Sequence, residues 1–125
     1  MTKNIFVYGT LKSGYHNHRI LGSDAEFLGE VVIAGFKLFE SGIPFMKRTN
    51  NTKDCVLGEI YTVTDKNLVH VDHLEGHPTG YRREPVYYPD GDDFETYIYP
   101  HDLGNMKESP KNEDGVYVYG RAKYE

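Results

Sequence analysis

One carboxylate stands on the apolar side of a predicted helix. At about 100° per residue, Leu68, Val71 and Glu75 share a stripe, with Glu75 between the other two in projection. Leu68 and Val71 are the residues that face a core, so Glu75 is expected to follow them inward at the last helical turn. Partial burial and the negative end of the helix dipole both disfavour a carboxylate there. Each raises the pKa, and a glutamate poised near neutral pH can take and return a proton. The alternative is a frayed helix end, with Glu75 turned to solvent or paired with Arg82 or Arg83. Spacing leaves both open. Tyr8-Gly9-Thr10-Leu11 is the second feature. A strand that ends in glycine and a small hydroxyl residue can turn its N–H groups outward, as a nest for a ligand carboxylate or a developing oxyanion. The same residues also make ordinary turns, and the Gly-Lys-Ser/Thr ending of a phosphate loop is absent.

Other polar clusters carry less. His70 and His73 are displaced from the Leu68–Val71 stripe and are expected to face outward, and His16, His18 and His77 complete no metal pattern. Asp90, Asp92 and Asp93 surround a glycine in a segment too short for a calcium loop, which reads as turn chemistry. No metal is expected.

The elements that must position these residues are mostly strands. Residues 5–8 read as a short, apolar, central strand, and 18–21 as a helical turn. Residues 27–39 suggest one long bent strand or two, broken by Gly29 and Gly35. Residues 44–47 form a short extended piece, 49–54 a polar turn, and 56–63 a strand with two unlike faces. Asp65 is the expected N-cap of a helix over 66–75, closed by Gly76 with Pro78 beyond it. Residues 81–88 and 94–99 read as a hairpin around a turn at 89–92. Residues 104–115 read as a mobile surface loop and 116–119 as a last edge strand. The fold class expected is a small α+β domain on a mixed, barrel-like sheet with few helices, occupying 1–125 as one domain.

Composition narrows the function. Fourteen Lys and Arg against nineteen Asp and Glu leave a net charge of -5, which disfavours nucleic acid as a partner. No stretch approaches the ~20 apolar residues of a membrane span, and the first residues lack an export signal's apolar run. The expected compartment is the cytoplasm, where the single Cys55 stays reduced as a packed thiol and the Asn50-Asn51-Thr52 sequon is only a polar turn. The apolar mass is unusual in carrying hydroxyls: 11 Tyr and 6 Phe, with no Trp.

Four motifs in order carry a resemblance: Tyr8-Gly9-Thr10-Leu11-Lys12, Ile43-Pro44, Val71-Asp72-His73-Leu74-Glu75, and Tyr81-Arg82-Arg83. Together with Asn17-His18-Arg19 they resemble the γ-glutamylcyclotransferase-like (AIG2-like) superfamily, and within it the γ-glutamylamine cyclotransferase branch. The resemblance spans residues 4–99 and implies a compact barrel-like fold with a cavity at the Tyr8–Leu11 loop. It implies a reaction that releases 5-oxoproline from a small γ-glutamyl compound with no cofactor and no metal. By match, Glu75 is the general acid and base, and Tyr8, Gly9, Thr10 and Leu11 hold the substrate through their backbone. Ile43 and Pro44 join them, and Tyr81 is a hydroxyl donor in the cavity wall. Val71 stands where the family often has Leu, and the resemblance offers no clear counterpart for the tail beyond Tyr99. A non-catalytic module that keeps the cavity for a small ligand or a protein partner is the alternative. A phosphate- or nucleotide-binding use of the loop is a further one, which the acidic charge disfavours.

Overall fold

The computed structural model describes residues 1–87 and 93–120. Its strands are β1 (Thr2–Val7), β2 (Glu26–Ala34), β3 (Phe36–Ser41), β4 (Ile43–Arg48), β5 (Cys55–Thr64), β6 (Arg82–Val86) and β7 (Phe94–Ile98). One helix, α1 (Asp65–Glu75), follows β5 directly, and a 3-10 turn, His18–Leu21, lies between β1 and β2. Five strands form a sheet in the order β2-β5-β1-β7-β6, and β3 and β4 form a separate hairpin. Pairing is antiparallel except between β1 and β7, so the sheet is mixed. The small α+β, barrel-like class read from the sequence holds, with the sheet left open rather than closed.

β1 is the central strand, and its residues show why. Successive side chains on a strand point to opposite faces, so a strand covered on both sides must be apolar throughout. Phe6 and Tyr8 pack with Phe36, Leu38 and Met46 of the hairpin. Ile5 and Val7 pack on the other side with Leu21 of the 3-10 turn and Leu68 and Val71 of α1. Ile5 and Phe6 are wholly buried.

Several boundaries differ from the sequence reading. The helix N-cap is Thr64, not Asp65. The last residue of β5 is extended, and its hydroxyl accepts the Asn67 N–H at 3.2 Å, so Asp65 becomes the first helical residue. The C-terminus is as expected, with Gly76 in the left-handed region at φ 70. Residues 27–39 are two strands, because at Gly35 the chain turns to bond Asp54 and starts the hairpin. β2 also bulges between Phe27 and Gly29. Residues 116–119 form isolated bridges, Val56 to Tyr117 and Lys111 to Tyr117, rather than an edge strand. Part of the loop at 104–115 lies on the hairpin: Glu40 N–H donates to Lys107, Ser109 N–H donates to Leu38, and Ser109 is buried. The hairpin turn at 89–92 lies outside the described residues. Cys55 is half-buried, with its thiol 3.6 Å from the Thr52 carbonyl.

Candidate active site

A cavity of about 230 Å³ opens at the C-terminal end of β1. Tyr8, Gly9, Thr10 and Leu11 form one wall, and Ile43 and Pro44 at the start of β4 form a second. Glu75, at the last turn of α1, and Tyr81 just beyond it form a third. The structure therefore brings all eight of the sequence-predicted residues around one space. Sequence reasoning did not assign Asn17, Leu74 and Tyr97, which also line it.

Local chemistry sets each wall. The central strand ends at Val7, and Lys12 N–H donates to the Gly9 carbonyl at 3.0 Å, closing a turn. Gly9 is obligatory there, since a Cβ on it would sit 2.3 Å from Pro44 Cγ. Thr10 Oγ1 accepts from Asn17 Nδ2 at 3.0 Å, and the His18 ring donates from Nδ1 to the Leu11 carbonyl at 2.9 Å. The turn is thus clamped to the segment that follows it. Among the described residues, the N–H groups of Gly9, Thr10 and Leu11 donate to no protein acceptor. They remain available to a ligand.

Glu75 follows Leu68 and Val71 inward, as the stripe required. Burial pushes its carboxyl from an ordinary 4.5 up to about 7. The arginines are engaged elsewhere. Arg82 pairs with Glu84, and Arg83 reaches Asp72 at 2.9 Å and also pairs with Glu95. Among the described residues no side chain forms an ion pair with Glu75.

Three tyrosines surround that carboxyl. Burial raises the phenols of Tyr8, Tyr81 and Tyr97 above their ordinary value, and the charge of Glu75 adds to the rise. Each gives its proton away within the protein. Tyr8 Oη donates to the Tyr97 carbonyl at 2.6 Å, Tyr81 Oη to the Pro44 carbonyl at 2.5 Å, and Tyr97 Oη to Asp72. This changes the reading of Tyr81. Its hydroxyl proton is committed to the backbone, so toward the cavity it presents lone pairs, which suit a ligand ammonium better than a carbonyl.

Asp72 joins the helix to the sheet. Its two oxygens accept from Arg83 Nε and Nη2 and from Tyr97 Oη, one helical turn before Glu75. Burial pushes the Asp72 carboxyl up, but the bonds from Arg83 and Tyr97 outweigh it and hold it below the ordinary carboxylate range. Tyr97 was legible only as a residue of the second hairpin strand. Its place in the wall follows from the parallel pairing of β7 with β1, which a short strand does not announce. His70 and His73 are exposed on the outer face of α1, and no group of three metal-binding side chains occurs among the described residues.

The family model described as gamma-glutamyl cyclotransferase, AIG2-like, matches residues 5–121, so the segment after Tyr99, which the resemblance left unmatched, is part of the family match as far as residue 121. The chain belongs to that family. Within the γ-glutamyl cyclotransferase family, a Methanocaldococcus jannaschii protein with a provisional γ-glutamylcyclotransferase name is 33% identical over 115 residues. That alignment covers 88% of this chain and 95% of the relative. A γ-glutamylaminecyclotransferase from Rattus norvegicus is 38% identical over 92 residues, covering 64% of this chain but only 59% of the rat protein. Among solved structures, the AIG2-like protein of Mus musculus superposes with a TM-score of 0.73 at 26% identity, covering 94% of this chain and 95% of the other. An uncharacterised protein from Pyrococcus horikoshii gives 0.72 at 26% identity, with 92% and 89% covered. Among the described residues, no helix is long and apolar enough to cross a membrane.

Proposed function

We propose that this γ-glutamyl cyclotransferase family member cyclises a γ-glutamylamine, or a related γ-glutamyl amide, to 5-oxoproline and the free amine. The observation that carries the reading is the largely desolvated Glu75 carboxyl, pushed up to about 7, lining the same cavity as a turn whose three N–H groups are unengaged among the described residues. Glu75 takes a proton from the substrate's α-ammonium, and the freed amine attacks its own γ-carbonyl carbon. As the tetrahedral adduct collapses, the bond to the leaving nitrogen breaks and Glu75 returns a proton to that nitrogen. The attacking nitrogen sheds its second proton as the lactam forms, and the departing amine is protonated in turn. The step moves only protons and one acyl group, so no cofactor takes part. The N–H groups of Gly9, Thr10 and Leu11 meet a substrate oxygen, and the tyrosine oxygens accept from the ammonium.

Intramolecular attack needs positioning more than nucleophile strength, since well-oriented cyclisations reach effective molarities of about 10⁵–10⁸ M. At about 230 Å³ the cavity is smaller than the ~300–1,000 Å³ usual for drug-sized ligands, which suits a glutamyl moiety. On this reading the 125 residues work as one domain. Its partner is a small γ-glutamyl compound rather than nucleic acid, and it acts in the cytoplasm. Mass-spectrometric detection of 5-oxoproline across a panel of γ-glutamyl amines, amides and amino acids tests it. Release by the wild type and none by Glu75→Gln supports the reading. No release, with a γ-glutamyl compound raising the melting temperature, would replace it with a binding module.

A further inference from the structure

Tyr119 does not line the cavity, yet it joins two of the walls that do. Its hydroxyl donates to the Gly42 carbonyl at 2.9 Å, and its own carbonyl accepts from Lys12 Nζ at 3.1 Å. Gly42 lies between β3 and β4, immediately before Ile43 and Pro44 of one wall. Lys12 immediately follows Leu11, the last residue of the turn whose N–H groups face the cavity. One tyrosine thus bridges the turn and the hairpin.

The bridge is anchored in the core. Two residues earlier Tyr117 is buried, and its N–H and carbonyl pair with the Cys55 carbonyl and the Leu57 N–H of β5. Tyr15 packs its ring 5.7 Å from that of Tyr119 and extends its hydroxyl to the Tyr119 carbonyl at 3.5 Å. The two walls also meet directly, where Gly9 lies against Pro44. That contact stops the hairpin from moving inward, and the bridge through Tyr119 stops it from moving outward. Tyr81 steadies the same hairpin from another side, at the Pro44 carbonyl, two residues beyond the one that Tyr119 holds.

Lys12 shows that the bridge is more than packing. The residue is only 7% exposed, and its ammonium is directed at the Tyr119 carbonyl. Burial pushes the ammonium's pKa down more than the charges of Glu59 and Glu30 push it up. An apolar side chain of the same length would fill the space without that penalty. A charge kept against its own desolvation, for one bond to the bridging residue, points to geometry rather than stability.

We propose that Lys12 and Tyr119 are positioning residues, which hold the turn and the hairpin at the span that the cyclising substrate needs. This rests on the cyclotransferase reading. The α-amine must meet its own γ-carbonyl while the turn, the hairpin and Glu75 enclose it. A misplacement of about 1 Å in such a site can cost about 10²-fold in rate.

The test makes Lys12→Met and Tyr119→Phe, alone and together, and measures 5-oxoproline release from a γ-glutamylamine together with unfolding in urea. Each single variant should lower kcat about tenfold, with KM changed less than about threefold. The double variant should be no slower than either single one, because each breaks the same bridge. Lys12→Met should also unfold at a urea concentration no lower than the wild type, which a lysine kept for stability forbids. Wild-type kcat in either single variant, losses that multiply in the double, or a kcat loss in Lys12→Met matched by lost stability would overturn the bridge and leave the cyclotransferase intact. So would a tenfold loss in Thr62→Val, whose hydroxyl bonds Asn4 at 2.8 Å away from the cavity. Release by the wild type from no γ-glutamyl compound would overturn the cyclotransferase reading, and the positioning role with it.

Discussion

Replacing Glu75 by Gln should stabilise the protein at alkaline pH while abolishing turnover. Burial holds the Glu75 carboxyl at about 7 against an ordinary 4.5. A carboxyl whose folded-state pKa is raised binds its proton more tightly in the fold than in the unfolded chain. Its penalty is therefore absent well below 4.5, grows as the unfolded chain ionises first, and is complete above about 7. At about 1.36 kcal/mol per pH unit, ionising Glu75 within the fold costs about 3 kcal/mol. Gln does not ionise, so the variant lacks this slope. Urea titrations of both proteins at about pH 5 and about pH 8 isolate the effect, because the other titrating groups are shared and cancel in the difference. Between those two conditions the wild type should lose about 2.5 kcal/mol more than the variant. Stability profiles that run parallel within about 0.5 kcal/mol would refute the desolvation of Glu75. They would also remove the physical reason for a base poised near neutral pH. Full activity in Glu75→Gln would refute its acid and base role whatever the stability.

The same carboxyl sets a rate profile: kcat/KM should rise with pH through about 7, where the base form appears, and a flat profile from about pH 5 to 8 would contradict it. Gly9→Ala places a Cβ 2.3 Å from Pro44 Cγ, and the strain of separating two cavity walls should cost about 1–3 kcal/mol in urea and lower kcat/KM. Tyr97→Phe removes the hydroxyl that bonds Asp72 and should cost about 1.5–3 kcal/mol at neutral pH, since the acceptor is charged. Because Asp72 is held below its ordinary value, that difference should be full above about pH 4 and fade as pH falls further. A deficit in Tyr97→Phe that is unchanged by acid would show that Asp72 is not the partner that matters.

Periodicity carried much of the site. The stripe Leu68, Val71, Glu75 depends on helical geometry within eight residues, and the Gly76 stop depends on one left-handed residue, so both were readable without the fold. The apolar run at residues 5–8 likewise announced a strand buried on both faces, and β1 lies at the centre of the sheet. Boundaries were less legible. Thr64 and Asp65 are both good caps, and the choice fell to Thr64 because β5 delivers it in an extended conformation. Residues 116–119 have strand composition, yet the backbone there makes isolated bridges instead of a ladder.

The inward stripe that ends in Glu75 was thus written into local spacing, and so was the turn that faces it. What surrounds them was decided by contacts between distant parts of the chain. Parallel pairing of β7 with β1 brings Tyr97 beside Tyr8, and the β3–β4 hairpin lays Pro44 against Gly9. Arg83, a nominal partner for Glu75, is drawn instead to Asp72 and Glu95, which leaves the buried carboxyl unpaired by any arginine among the described residues. Helical periodicity could point Glu75 inward. Only the assembled walls could exclude the water and counter-charges that would have kept its pKa ordinary.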